Sequence, residues 1–315
     1  MIPISVRGEA RGVTAGVVGK VSLLEVTAEQ ERRRTVRVLA AAAGESLDGY
    51  AAVLTSASVT SAGSSVPTVL SCRTDHLCQG DVVEINTRGE VRTVYRRNAG
   101  SNTLFTTDRC NNLCLMCSHP PRDVDDSGRV VELLRLIDLI DPSTESLGIT
   151  GGEPTLLGDG LLEVVRAARD RLPKTSLHVL SNGRRLIDYR YADAFGGLAH
   201  PNLMFGIPLY SDIGSHHDYI VQAGGVFNET MRGLHNLARA RVPVEIRVVV
   251  HAQTYRRLPQ LADFIFRNLT FAAHVTFMGL EVIGFGKANV KSLWIDPLDY
   301  VKELEERCRC SPQWA

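Results

Sequence analysis

Cys110-Asn111-Asn112-Leu113-Cys114-Leu115-Met116-Cys117 places three thiols on one polar loop. A strand pattern over Leu104 to Thr107 runs directly into it. Beyond it Val130, Leu133, Leu134, Ile137 and Ile140 recur at helical spacing until Pro142 stops the helix. Strand, loop and helix in that order open a βα series, in which the loops leaving the carboxyl ends of the strands carry the chemistry. Three soft thiolates at this spacing select zinc or an iron–sulfur cluster. A structural zinc site closes with four protein ligands, and His119 would complete a Cys3His set; a three-cysteine cluster site leaves one iron free for another ligand.

Outward from this loop the alternation continues. Strands are predicted over Leu147 to Thr150, Ser176 to Leu180, Leu203 to Pro208, Val244 to Val250 and Val275 to Met278. Helices fall between them, near Leu161 to Leu172 with Asp159 as N-cap, Leu186 to Phe195, Asn228 to Ala240 and Leu258 to Asn268. Six strands alternating with helices predict an α/β fold with a parallel sheet and right-handed crossovers, open or curled into a partial barrel. Asp296-Pro297 opens a closing helix that runs into Cys308.

Residues 1–102 read differently. Val82 to Ile85 and Val91 to Tyr95 flank the turn tract Thr87-Arg88-Gly89-Glu90, which predicts small antiparallel hairpins in a β-rich region. The expected division is therefore 1–102, a core over 103–290, and a C-terminal helix and tail over 291–315. The uncharged tract from Thr55 to Pro67 reads as loop or weak strand, and the Glu31 to Arg37 run as a solvated face.

The chain has 315 residues, 35 Lys+Arg against 35 Asp+Glu, and 44% hydrophobic residues. That apolar share fills a core, and the zero formal charge counts against a protein that coats nucleic acid or anionic membrane. Seven cysteines, an odd number, fit a disulfide framework poorly. Neither a signal peptide nor a bilayer-crossing stretch is legible, so the expected location is the cytoplasm, away from membranes.

At the end of the second strand stands Gly151-Gly152-Glu153-Pro154. Alone it is a turn; one βα unit after Cys-x3-Cys-x2-Cys it carries more. Together the two motifs resemble the radical S-adenosylmethionine (SAM) enzymes. That resemblance implies a partial (β/α)6 TIM-like barrel and a [4Fe-4S] cluster held by Cys110, Cys114 and Cys117, with the fourth iron chelated by SAM. It implies that Glu153 and the Gly151-Gly152 backbone hold the methionine amine. It also implies that an electron from a reducing donor yields a 5′-deoxyadenosyl radical, which takes a hydrogen atom from the substrate. Met116 stands where the family usually has an aromatic residue beside the adenine. Ser181-Asn182 ends the third strand and Ser211-Asp212 follows the fourth, where ribose hydroxyls would find partners. On the fifth strand Arg247 would pair with the SAM carboxylate or with Glu245, and His251 would line the mouth. His216-His217-Asp218 reads as a polar loop rather than a metal site.

A narrower resemblance rests on longer text. Thr107-Asp108-Arg109-Cys110 through Cys117-Ser118-His119-Pro120-Pro121, Gly206-Ile207-Pro208-Leu209-Tyr210-Ser211, His217-Asp218-Tyr219-Ile220-Val221-Gln222-Ala223 and Val244-Glu245-Ile246-Arg247-Val248-Val249 look like the radical SAM maturases of the His-Xaa-Ser system, from about Leu77 to Pro297. This implies a His-Xaa-Ser repeat precursor peptide as substrate and a second radical SAM maturase as partner, with the β-rich region presenting the peptide by strand addition. Such relatives commonly continue into a further cysteine-bearing segment, so the end at Trp314-Ala315 reads as shortened and Cys308-x-Cys310 as a remnant or as two plain thiols. Two other readings stay open: the same chemistry on RNA or a small cofactor precursor, and a non-catalytic Cys3His zinc module.

Overall fold

A computed structural model describes residues 4–39, 46–58, 66–301 and 305, and it divides into two compact units. One holds the chain up to Leu104 with Val131–Leu147 and Asp170–Thr175; the other holds Phe105–Val130, Gly148–Arg169 and the chain from Ser176 onward.

The first unit is built on β1 (Ser5–Arg7), β2 (Glu9–Arg11), β3 (Val17–Ser22), the short α1 (Glu29–Arg32), β4 (Thr35–Leu39), β5 (Ala52–Thr55), β6 (Thr68–Leu70), β7 (Val82–Ile85) and β8 (Glu90–Tyr95). Its sheet runs β1-β8-β7-β3-β4-β5-β6-β2. The two outermost strands are consecutive pieces of one segment, 5–11, hinged at Gly8, whose N–H donates to Gly89 O at 2.9 Å. β1 pairs with β8 on one side and β2 with β6 on the other, so the sheet closes on itself as a small barrel. Val21, Val36, Leu54, Val69, Val83 and Ile85 fill it and are fully buried.

The β7–β8 hairpin is antiparallel, as its turn tract predicts. The expectation of hairpins throughout fails at the centre, where β3, β4, β5 and β6 pair in parallel. Their connections, 23–34, 40–51 and 56–67, are each about a dozen residues, enough for a parallel crossover that no local alternation reveals. The Glu31 to Arg37 run is only partly solvated: Arg33 is exposed beside Glu29, but Thr35–Leu39 is buried throughout and Arg37 donates to Ser22 O and Val38 O.

The βα series contains β9 (Asn102–Phe105), α2 (Arg129–Ile137), β10 (Ser146–Thr150), α3 (Asp159–Arg171), β11 (Ser176–Leu180), α4 (Tyr189–Gly197), β12 (Leu203–Pro208), α5 (Gly214–Val221), α6 (Val226–Arg239), β13 (Val244–Val250), α7 (Leu258–Asn268) and β14 (His274–Gly279). The six strands lie in sequence order, and β11 through β14 pair in parallel. This is the partial (β/α)6 barrel, preceded by a β-rich region.

Alternation sorts the sheet into two faces. Phe205 meets Phe195 of α4 ring to ring, so its face of β12 lies under helices. Register pairs Phe205 with Val244 and Ile207 with Ile246, which puts Gly206, Glu245 and Arg247 on the opposite face. Both sides of the division follow the side-chain pattern: Val244, Ile246, Val248 and Val250 are buried, whereas Arg247 and Val249 are only half-buried.

Local boundaries differ where side chains redirect the chain. The first strand stops at Phe105 because Thr106 turns to donate to Thr150 O and Thr107 to Asp126. Asp159 is the first residue of α3 and not its N-cap. The expected helix from Leu186 is a 3-10 turn, Arg184–Ile187, followed by α4, which Asp188 caps by accepting from Arg190 N–H. Asp296 accepts from Leu298 N–H as a cap should, while Cys308 and Cys310 lie outside the described residues. Among the described residues no helix is long and apolar enough to cross a membrane.

Candidate active site

The cysteine loop leaves β9 at the carboxyl edge of the sheet and is held from several sides. Gly152 N–H donates to Thr107 O at 2.6 Å and Glu153 N–H to Arg109 O at 2.8 Å, so the Gly-Gly-Glu turn is stitched to the segment entering the loop. A Cβ on Gly152 would lie 2.2 Å from Arg109 O, so no side chain fits there. The far side of the loop rests on the end of α5, where Leu113 and Leu115 N–H donate to Val221 O and Ile220 O. We expect Gly152→Ala to lower iron retention after anaerobic reconstitution to a minor fraction of wild type, because the added carbon must push the Arg109 carbonyl and the adjoining Cys110 aside. Full iron content in that variant would show the loop to be indifferent to this contact.

The three thiols are half-buried and free of disulfides. Burial pushes Cys110 up to about 11 and Cys114 up to about 12, and raises Cys117. All three are therefore protonated thiols near neutrality until a metal's positive charge displaces the protons. Asn112 N–H donates to Cys110 Sγ at 3.4 Å, and Cys117 Sγ donates to His119 O at 3.0 Å.

His119 does not turn to the thiols. Its Nε2 contacts Asp108 and its ring stands edge-on to Phe105, with centroids 4.8 Å apart. Among the described residues no three Cys, His, Asp or Glu side chains gather around one point that a metal ion would occupy. A single zinc needs four donors at about 2.0–2.3 Å. Three thiols on one loop without a fourth ligand suit a multi-iron cluster and not a closed zinc site.

Glu153 is buried and lies at the centre of a donor cage. Its carboxylate accepts from Thr155 N–H at 3.0 Å, Thr155 Oγ1 at 2.6 Å, Ser181 Oγ at 2.8 Å and Asn182 N–H at 2.6 Å. Burial raises its pKa against the pull of these hydrogen bonds. Ser181 and Asn182, the expected ribose partners, hold Glu153, and Asn182 Nδ2 reaches the cysteine loop at Asn111 Oδ1, 2.6 Å away. Carboxylate, third strand and cysteine loop thus form one connected set.

The remaining expected residues divide. Met116 is buried against Tyr210, Ile220, Val221 and Val226, with Cys114 packed beside the same cluster. Ser211 Oγ accepts from Ile213 N–H at 3.1 Å and contacts His216 Nδ1, which uses it inside the protein at the start of α5. Arg247 pairs with Glu245 at 3.0 Å, the second of its two expected partners. Around the carboxyl ends four arginines are matched to carboxylates: Arg109 to Asp126, Arg122 to Asp108, Arg184 to Glu229 and Arg257 to Asp212.

The polar loop expected at His216-His217-Asp218 is helix α5. His217 is buried, accepts from Tyr210 N–H at 3.2 Å and stacks on the Tyr210 ring; Asp218 accepts from Gly225 and Phe227 N–H and so starts α6. Burial lowers His217 and His251 to about 4. A histidine depressed from 6.5 stabilises the fold above its unfolded pKa, and that contribution disappears as pH falls through about 4. Stability should therefore drop between about pH 6.5 and about pH 4, by about 1.4 kcal/mol per pH unit for each histidine. Denaturant titration across that range checks it, with His217→Gln giving the flatter profile.

Fold and site define an enzyme class: a βα partial barrel whose first loop offers three thiols to a cluster. The chain belongs to the Radical SAM superfamily, whose pattern matches residues 104–265. Members of that class use SAM and a [4Fe-4S] cluster. Among curated proteins, the Fe-coproporphyrin III synthase of Methanosarcina barkeri is 29% identical over 50% of this chain and 39% of its own length. The GTP 3′,8-cyclase of Petrotoga mobilis is 23% identical over 63% and 60%. The chain thus spans less than two thirds of either relative. Among solved structures, anSMEcpe with bound AdoMet and the Cp18Cys peptide superposes with a TM-score of 0.52 at 20% identity, covering 66% of this chain and 58% of that one. Streptococcus suis SuiB bound to the precursor peptide SuiA gives 0.51 at 15% identity, over 68% and 46%. At such identities the likeness is one of fold.

Proposed function

We propose that this chain is a radical SAM maturase that modifies a ribosomally made peptide of the His-Xaa-Ser repeat type, working with a second maturase and a reducing electron donor. Cys110, Cys114 and Cys117 ligate the cluster, and Glu153 with the Gly151-Gly152 carbonyls receives the SAM amine. When bound, cluster and cofactor supply the hydrogen-abstracting radical; the protein holds both and keeps water away. A buried ammonium beside a metal needs a carboxylate or carbonyl partner, and Glu153 is a buried carboxylate connected through Asn182 to the loop that carries Cys110.

The observation that carries the substrate class is where the maturase-like text falls. The run over 107–121 is the cysteine loop, 206–211 leaves β12 beside it, 217–223 is the end of α5 that supports the loop, and 244–249 is β13 with Glu245 and Arg247 on the helix-free face. The resemblance is concentrated on the site and its approach. Solved structures of like fold include two described with peptides bound. The test is mass spectrometry of the small His-Xaa-Ser peptide co-expressed with and without this chain. A mass change that depends on Cys110 is expected, and identical masses would move the assignment to the second reading. That reading, a small cofactor precursor, is favoured by the likeness to Fe-coproporphyrin III synthase over half the chain.

A further inference from the structure

The helix-free face of the sheet carries a second polar cluster, distinct from the hydrogen-bond set of Glu153. His178 of β11 reaches over β12 to place Nε2 2.8 Å from Glu245 Oε2 on β13, off the axis of a straight hydrogen bond. Gly206 makes this reach possible: a Cβ there would lie 2.7 Å from His178 Nε2 and 2.8 Å from Arg247 Cδ. Arg247 Nη1 donates to both Glu245 oxygens, Thr276 Oγ1 donates to Oε1, and His274 Nε2 lies 3.5 Å from Oε1.

The cluster is open to a ligand. The Glu245 side chain is 4% exposed, but those of Arg247, His178 and His274 are 25%, 31% and 51% exposed. Its charges cancel. Burial works to raise the Glu245 carboxyl, yet the hydrogen bonds from Thr276 and Arg247 outweigh it and hold the group ionised, while burial lowers His178 and keeps it neutral. Two hydrogen-bonding positions are left over. Arg247 Nη2 rests on Met278 Sδ at 2.8 Å, and a thioether is a weak acceptor. With Nε2–H toward the carboxylate, His178 Nδ1 is an acceptor. A donor and an acceptor exposed on the same face of the sheet match a group that both accepts and donates, as a hydroxyl or a neutral imidazole does. A polyanion would find Arg247 already neutralised, and Arg109, Arg122, Arg184 and Arg257 at the carboxyl ends are matched to carboxylates as well.

We propose that the His178–Glu245–Arg247 cluster over Gly206 anchors an uncharged hydrogen-bonding side chain of the peptide substrate and discriminates against anionic substrates. This deepens the peptide reading and rests on it. The test uses the cluster-loaded protein with SAM and three probes: a labelled peptide containing a His-Xaa-Ser repeat, the same peptide with Asp for Ser and Glu for His, and GTP. Wild type should bind the neutral peptide at least about tenfold tighter than the acidic one, and should not bind GTP saturably. Glu245→Gln frees the Arg247 guanidinium, so the preference should shift toward the acidic peptide by about tenfold or more. Gly206→Ala displaces His178 without changing charge, and should weaken the neutral peptide with no gain for the acidic one. Cluster absorbance and thermal midpoint confirm that each variant is folded. Equal binding of neutral and acidic peptides by wild type, tight GTP binding, or an unchanged ratio in folded Glu245→Gln overturns the proposal. Failure of wild type to bind either peptide overturns the peptide reading itself.

Discussion

Alanine at any one of Cys110, Cys114 or Cys117 is expected to remove the iron–sulfur cluster and reduce SAM cleavage by at least about 10³-fold, a barrier increase of about 4 kcal/mol. The argument is one of donor supply. In the proposed assignment the cluster takes its protein ligands from this loop, and His119, committed to Asp108, does not replace a missing thiol. Two remaining thiols that burial keeps protonated are poor competitors for iron. Cys72→Ala is the matching control. That thiol is buried in the core of the β-barrel unit and raised to about 11 by burial, so its loss should leave iron content unchanged. Iron and sulfide analysis after anaerobic reconstitution reads both outcomes. A stoichiometric single zinc lost on His119→Ala would instead establish the Cys3His site.

Glu153→Ala is expected to cost about 3 kcal/mol of stability and to weaken SAM binding at the same time. Its removal strands the Thr155 hydroxyl and N–H, the Ser181 hydroxyl and the Asn182 N–H in the interior, and each unsatisfied buried donor costs about 1–3 kcal/mol, less than additively. Asn182 then loses the contact that fixes it against Asn111, so the damage reaches the cysteine loop. Glu153→Gln retains the shape and one acceptor, so its loss of stability should be smaller while SAM binding remains impaired. Calorimetry of SAM binding separates the two effects. Wild-type SAM affinity in folded Glu153→Gln would remove this carboxylate from the site.

Much of the βα series is legible because its strands are short apolar runs bounded by turn residues. Ser176–Leu180, Leu203–Pro208 and Val244–Val250 have the ends their composition predicts. The cysteine triplet and Gly-Gly-Glu are legible because their residue types have few other uses at that spacing. Helix α5 is not, since its inward residues are His217, Ile220 and Val221 and adjacent histidines carry no apolar period. The partners of Glu153 are hidden for a different reason: Ser181 and Asn182 are 28 and 29 residues away in sequence, and hydroxyls at a strand end suit a bound ribose as well as a neighbouring carboxylate. Gly206 reads as a plain strand glycine until the side chains of two flanking strands are seen to meet above it. The parallel centre of the β-barrel escapes altogether, because pairing direction depends on connections and leaves no mark on strand composition.

The closure of that barrel by residues 5–11 has a consequence for how the chain is made. Residues 5–11 precede both of their partners, Thr68–Leu70 and Glu90–Arg92, so during synthesis they can pair on one side only once residue 70 has been made and on the other only once residue 92 has. Long-range strand pairings of this kind form slowly, because loop entropy is lost before contacts compensate. The nascent chain therefore carries an unsealed sheet with bare edges while the barrel is being made, and the vulnerable interval ends when the barrel's first strand finds its last.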